Sequence, residues 1–188
     1  MRLFVAIELP EAVRRAVEAR LAPLRGSLPK ARWVRVENLH LTLVFLGEVE
    51  AERVPPFATE LAAVFARHPP FSLGLKDGGA FPPRGPGRVI WLGVDAEAGL
   101  ASLQREVAEA ASSVLGLEPE TRPFSPHLTL ARAPEPWPRP AVERFSQSFA
   151  GSLGPRFEVH EGLLMASELA PGGSRYRAVG HFPLKTAA

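Results

Sequence analysis

The chain has 188 residues, 46% of them hydrophobic and 22% charged, with a formal net charge of +2. That size and apolar content suffice for a folded domain with a sizeable core, while so small a net charge argues against a protein that coats long polyanions. The absence of cysteine excludes disulfides, thiolate nucleophiles, Fe–S clusters and cysteine-ligated zinc. In chain order, residues 3–9 (LFVAIEL) read as a buried strand, after which Pro10 is suited to the first turn of a helix. In that helix Val13, Val17, Leu21 and Leu24 recur at helical spacing, and Gly26 closes it. Residues 31–36 (ARWVRV) alternate and 39–47 (LHLTLVFLG) are rich in β-formers, so both predict strands. A helix is expected over 53–67, followed by strands over 71–75 and 89–94. Between those two strands, residues 77–87 (DGGAFPPRGPG) read as a loop, because glycine and proline disfavour regular structure. A long helix marked by Leu100, Leu103, Val107, Ala111, Val114 and Leu115 ends at Gly116. A strand over 126–132, a short helix over 140–149 and two closing strands, 156–168 and 176–183, complete the chain.

Short αβ units with hairpin-like strand pairs favour antiparallel or mixed sheets over a doubly wound parallel one. The fold class expected is therefore α+β, a single bilobal domain over 1–188 whose two lobes share a central cleft. The opening residues lack the apolar stretch of a signal peptide, and no segment approaches the roughly 18 apolar residues that would span a bilayer. Cytoplasmic residence without membrane association is the expectation.

The chemistry is carried by a tetrapeptide that occurs twice, His-Leu-Thr-Leu at His40 and again at His127, in a chain with only five histidines. Side chains alternate along a strand, so His40 and Thr42 share one face while Leu41 and Leu43 anchor the other; His127 and Thr129 do the same against Leu128 and Leu130. One such tripeptide is a weak signal, and a half-buried strand with a chance histidine explains it. Two copies with identical leucines, one in each half of the chain, are hard to obtain by accident. If the halves pack face to face, a phosphodiester between them meets an imidazole from each side. In-line hydrolysis needs a base to take a proton from water and an acid to protonate the leaving oxygen. With an ordinary pKa of about 6.5, two imidazoles supply both near neutrality, and two threonine hydroxyls can hold the nonbridging oxygens. This scheme requires no metal and no cofactor, and symmetric motifs do not say which histidine is the acid.

These residues resemble the 2H phosphoesterases, named for two such motifs, and in particular their RNA 2',3'-cyclic phosphodiesterase branch, also called the 2'-5' RNA ligase family. The likeness extends to residues 3–10 (LFVAIELP), to Trp33 with 38–49 (NLHLTLVFLGEV), to 79–91, to 122–132 (RPFSPHLTLAR) and to 163–176. It implies two similar lobes about a pseudo-twofold axis and hydrolysis of a terminal 2',3'-cyclic phosphate to a 2'-phosphate. The partners implied are RNA ends, tRNA fragments among them, with no obligate protein partner and a monomeric state. Reversible 2'-5' joining of RNA ends is chemically the same transfer with a ribose hydroxyl in place of water. Arg132 resembles the family's pattern as a phosphate ligand, with a solvated strand-end arginine as the alternative.

Phe124 and Phe45 flank the motifs, and either ring can stack on a base. Phe45 shares parity with Leu41 and Leu43, which predicts core packing for it, whereas Phe124 stands between Pro123 and Pro126 in an expected loop and is the residue assigned to base stacking. Arg84 and Arg88 are placed to cover an RNA end from the 77–87 loop, with a plain connector as the alternative. His68 precedes Pro69 at the expected helix end and reads as structural, while His160 and His181 lack a threonine at the right offset and read as surface or packed residues. A different cyclic nucleotide substrate, or an RNA-end binder without catalysis, are the rival readings; both complete motifs argue against the second.

Overall fold

The computed structural model describes residues 1–83, 86–118, 120–170 and 173–185. Strand β1 (Arg2–Glu8) is buried along its middle, as its unbroken apolar run requires, and Pro10 leads into α1 (Glu11–Leu21), which seats Val13, Val17 and Leu21. The chain continues through β2 (Arg32–Trp33), β3 (His40–Glu48), α2 (Val54–Phe65), β4 (Phe71–Phe81) and β5 (Gly87–Ala96). Helix α3 (Ala98–Leu115) stops where Gly116 takes a φ of +71°, the left-handed conformation that glycine adopts without steric cost. Strand β6 (His127–Trp137), helix α4 (Arg139–Ser148) and strands β7 (Ser152–Val159), β8 (Glu161–Ala170) and β9 (Gly173–Pro183) complete the described structure.

The strands form two sheets, one ordered β3-β1-β8-β9 and the other β2-β6-β5-β4-β7. Every neighbouring pair is antiparallel, which narrows the antiparallel-or-mixed expectation. Strand for strand, β3, β1, β8 and β9 correspond to β6, β5, β4 and β7, and β2 is an addition at the β6 edge. Helices α2 and α3 cover the first sheet, through β8, β9 and β3, while α1 and α4 pack on β7 and β4 of the second. Two helices thus cross over, since α1 follows a strand of the first sheet and α3 a strand of the second. The lobes are interleaved, each drawing strands from both halves of the chain.

Three segments differ from their sequence expectation. Strand β4 runs on through Asp77 to Phe81, where a loop is predicted. Its glycines sit under aromatic rings: the Trp91 ring occupies the space a side chain at Gly79 would need, and a Cβ at Gly78 would lie 2.8 Å from Phe145. The strand bulges between Lys76 and Gly78, with Asp77 at a φ of +55° and its carboxylate accepting the Gly151 N–H at 2.9 Å. Arg84, from the same expected loop, lies outside the described residues. The strand predicted over 156–168 is two strands, β7 and β8, and the chain changes sheets at His160. Only Arg32 and Trp33 of the 31–36 segment pair as strand, and a 3-10 turn over Val36–Asn38 follows.

The core-facing residues of β1 (Leu3, Val5, Ile7) join Leu41 and Leu43 in the main cluster, which also takes in Leu128 and Leu130. Phe4, Ala6 and Leu163 are equally buried but stand apart from that cluster, on the face of the first sheet that carries His40.

Candidate active site

His40 and His127 are each the first residue of their strand, β3 and β6, and their local settings match. In register, His40 lies opposite Glu8 and Thr42 opposite Ala6, while His127 lies opposite Gly93 and Thr129 opposite Trp91. Each imidazole is tied by its Nδ1 to the carbonyl two residues back: His40 to Asn38 at 2.8 Å and His127 to Ser125 at 2.7 Å. A carbonyl only accepts, so Nδ1 carries the proton and the neutral ring presents an unprotonated Nε2. The Asn38 side chain in turn donates to the Ser174 carbonyl at 3.0 Å, which holds that turn against the start of β9.

Both strands bulge at the second leucine of the motif. Ala6 pairs with Thr42 and Val5 with Val44, leaving Leu43 extra; Trp91 pairs with Thr129 and Ile90 with Ala131, leaving Leu130 extra. The bulge puts two successive residues on the core side and reverses the alternation beyond them. Phe45 therefore emerges on the His40 face, 71% exposed, with its ring 6.2 Å from Phe4. The expectation that Phe45 packs in the core is corrected by this bulge, because parity counted from Leu41 no longer applies after Leu43. Arg132 is returned by the equivalent bulge to the face of His127 and Thr129, where it is exposed.

The two rings differ in surroundings. His40 stacks on buried Phe4 at 4.8 Å and meets Tyr176 edge-on at 5.2 Å, and burial moves its pKa below the ordinary imidazole value. The Asn38 hydrogen bond and the Glu8 charge oppose that shift without cancelling it. His127 meets the Phe81 ring edge-on at 5.0 Å. The two lobes are joined close to both motifs: Arg32 and Trp33 of β2 pair with β6, the Val34 N–H donates to the Leu130 carbonyl at 2.8 Å, and the Val36–Asn38 turn leads into His40. Strands β3 and β6 also touch across the two sheets.

The sequence profile described as the 2'-5' RNA ligase superfamily matches residues 9–167. The chain belongs to this superfamily. Among its relatives, the RNA 2',3'-cyclic phosphodiesterase of Archaeoglobus fulgidus is 35% identical over 94% of this chain and 97% of that protein. The enzyme of the same name from Geobacillus stearothermophilus is 41% identical, over 69% of this chain but only 41% of its own length. The structure of Escherichia coli LigT complexed with 3'-AMP aligns with a TM-score of 0.74 and 32% identity over 98% of each chain.

Of the remaining sequence candidates of this superfamily member, His181 shares the His40 face of the first sheet by register, opposite Leu163, which pairs with Ala6 as Ala6 pairs with Thr42. Phe124 is half-buried and packs against the main core. His68 is buried and bonds Glu106 at 3.0 Å, while His160 and His181 are exposed beside Glu158 and Glu161. Sequence reasoning missed Tyr176, Phe81 and Trp91. Tyr176 is the single tyrosine of the chain and Phe81 sat in the expected loop. Trp91 shares the Thr129 face by register, and its Nε1 is buried without a partner among the described residues. A recess of about 530 Å³ between α2 and α3 has neither catalytic candidate in its lining. Among the described residues no group of three or more His, Asp or Glu side chains is placed to hold a metal ion.

Proposed function

We propose that the chain hydrolyses the terminal 2',3'-cyclic phosphate of RNA to a 2'-phosphate, with His40 as general base and His127 as general acid. The observation that carries the reading is the pair of imidazoles in equivalent strand registers, each anchored through Nδ1 with Nε2 left for chemistry. The names of the superfamily relatives support the substrate.

His40 Nε2 takes a proton from water as its oxygen attacks phosphorus in line with the 3' oxygen. The P–O3' bond breaks, and His127, entering the step as the imidazolium with both nitrogens protonated, delivers its Nε2 proton to the departing oxygen, leaving a free 3'-hydroxyl and a 2'-phosphate. His40 suits the base role because desolvation keeps it neutral to lower pH than a solvated imidazole. Thr42 and Thr129, on the same faces, donate to the nonbridging oxygens, whose charge grows in the transition state. Phe45 offers an exposed face for a base to stack on, the part first assigned to Phe124, and Arg132 offers a guanidinium to phosphate. The reverse course, with a ribose hydroxyl in place of water, would join RNA ends through a 2'-5' bond. The enzyme acts on RNA ends as a monomer in this reading.

The direct test is incubation with a cyclic-ended oligonucleotide and identification of the product by phosphorus NMR. A 2'-phosphate is expected, and a 3'-phosphate or no turnover sinks the assignment. Turnover should be unchanged in excess EDTA, since every charge-stabilising and proton-transfer role is filled by a side chain; a strict need for a divalent ion contradicts the mechanism. The pH profile tests the roles. The base must be neutral, so kcat/KM falls as pH falls through the pKa of His40, and the midpoint of that acid limb is expected below 6.5. An acid limb centred above that value counts against His40 as the base.

A further inference from the structure

We propose that the RNA strand leading to the reacting end lies across the second sheet beside His127, where Lys76 and Arg156 bind its internucleotide phosphate. The inference rests on the cyclic-phosphate reading above and adds where the rest of the substrate goes. In an in-line displacement the leaving oxygen departs on the side opposite the attacking water. The oxygen that His127 protonates therefore carries its ribose, and the chain 5' to it, on the His127 side. Two rows of the second sheet open from there. In the Thr129 row Trp91 stands opposite, and its indole lies over Gly79 and fills the face. In the His127 row the partner is Gly93, whose own partner on β4 is Lys76. With no side chain at Gly93 that row is a trough. The Trp91 indole walls one side of it, and two strand spacings, roughly 10 Å, separate His127 from Lys76.

The far side of the trough is basic. Lys76 donates to one oxygen of the Asp95 carboxylate at 3.0 Å and Arg156 to the other at 2.8 Å, so two cations share one anion. Leu92 and Val94 are buried, so Gly93 and Asp95, which alternate with them, face the other way, with His127. Arg156 lies on that same face, its guanidinium over Gly74, the residue opposite Asp95. All three charged side chains are close to half exposed, and of the three N–H donors of Lys76 the carboxylate takes one. The first lobe carries the opposite charge in the equivalent places. Glu8 pairs with His40 as Gly93 pairs with His127, and Glu161, two residues before Leu163, stands where Lys76 does. Both carboxylates are exposed, and Arg14 reaches Glu8 at 3.4 Å. With histidine neutral, two carboxylates and one arginine leave that row net negative, whereas Lys76, Arg156 and Asp95 leave the other net positive. The trough beside His127 is the one that suits an anionic strand, and the asymmetry gives the bound RNA a direction.

The test compares kcat/KM on a 2',3'-cyclic mononucleotide, on a dinucleotide with the same cyclic end, and on that dinucleotide with a neutral methylphosphonate link. Wild type should prefer the charged dinucleotide to both others. Lys76→Ala should lower the dinucleotide-to-mononucleotide ratio about tenfold, an ordinary effect for one charge-assisted phosphate contact. Asp95→Asn releases both cations from their shared carboxylate and should raise the ratio, a gain that a folding defect does not produce. The methylphosphonate should cost wild type about tenfold and cost Lys76→Ala clearly less, since the two changes remove the same contact. A ratio that fails to move in the stated direction in either variant, or a methylphosphonate penalty equal in wild type and Lys76→Ala, overturns the subsite while leaving the hydrolase reading standing. A wild type indifferent to the internucleotide charge does the same. Wild-type failure on all three substrates overturns the hydrolase reading and the subsite with it.

Discussion

Replacing His40 or His127 by alanine is expected to lower kcat on a cyclic-ended RNA by about 100- to 10 000-fold, the range over which a positioned acid or base contributes. Each substitution removes a different half of the proton traffic. Without His40 nothing takes the proton of the attacking water, and without His127 the 3' oxygen departs as an unstabilised alkoxide. Because both must act in one displacement, the double variant should be little worse than either single one. The His40 substitution also removes the acid limb of the pH profile, whereas His127→Ala should keep it. Single-turnover rates across pH for the three variants, each checked for wild-type thermal unfolding, decide the matter. A loss of only a few fold at either position, or equal pH profiles in both single variants, would contradict the roles given. His40 stacks on Phe4 and touches Tyr176, so a His40→Asn variant separates lost chemistry from lost packing.

Removing the threonine hydroxyls should have the next largest effect. Thr42→Ala and Thr129→Ala are each expected to reduce kcat by about 10- to 1000-fold, the upper part of that range being the scale of a single oxyanion donor. The loss should fall on kcat with KM nearly unchanged, because charge on the nonbridging oxygens is greatest in the transition state. Thr→Ser at either site keeps the hydroxyl and should recover most of the rate, while Thr→Val keeps the shape and should not. A Thr→Val variant with wild-type kcat would show that the hydroxyl takes no part. A rise in KM alone would move the contact to ground-state binding.

The duplicated tetrapeptides made the site legible before any coordinates, because strand alternation ties His40 to Thr42 and His127 to Thr129 through local backbone geometry alone. Buried β1, the amphipathic helices and the stop at Gly116 were equally open to reading, each from a pattern contained within one element. Phe45 and Arg132 were not. Their direction depends on a residue left unpaired against the neighbouring strand, Leu43 against β1 and Leu130 against β5, and parity counted along one strand does not register it. The run 77–81 read as loop because its glycines were counted as breakers. Gly79 is in fact cleared for the ring of Trp91, which the neighbouring strand β5 supplies from the position directly opposite.

By itself the sequence determined which side chains are the candidates for the chemistry and that they come in two equivalent sets, since composition and period-two spacing are properties of single segments. Tertiary structure decided how the sets are joined and made unequal. The change of sheet at His160 interleaves the lobes, β2 ties the segment before His40 to the strand of His127, and Phe4 and Tyr176 enclose His40. The physical reason is that desolvation, bulge direction and charge pairs such as Arg156 with Asp95 are set by the neighbours each strand receives, and those neighbours lie far away along the chain.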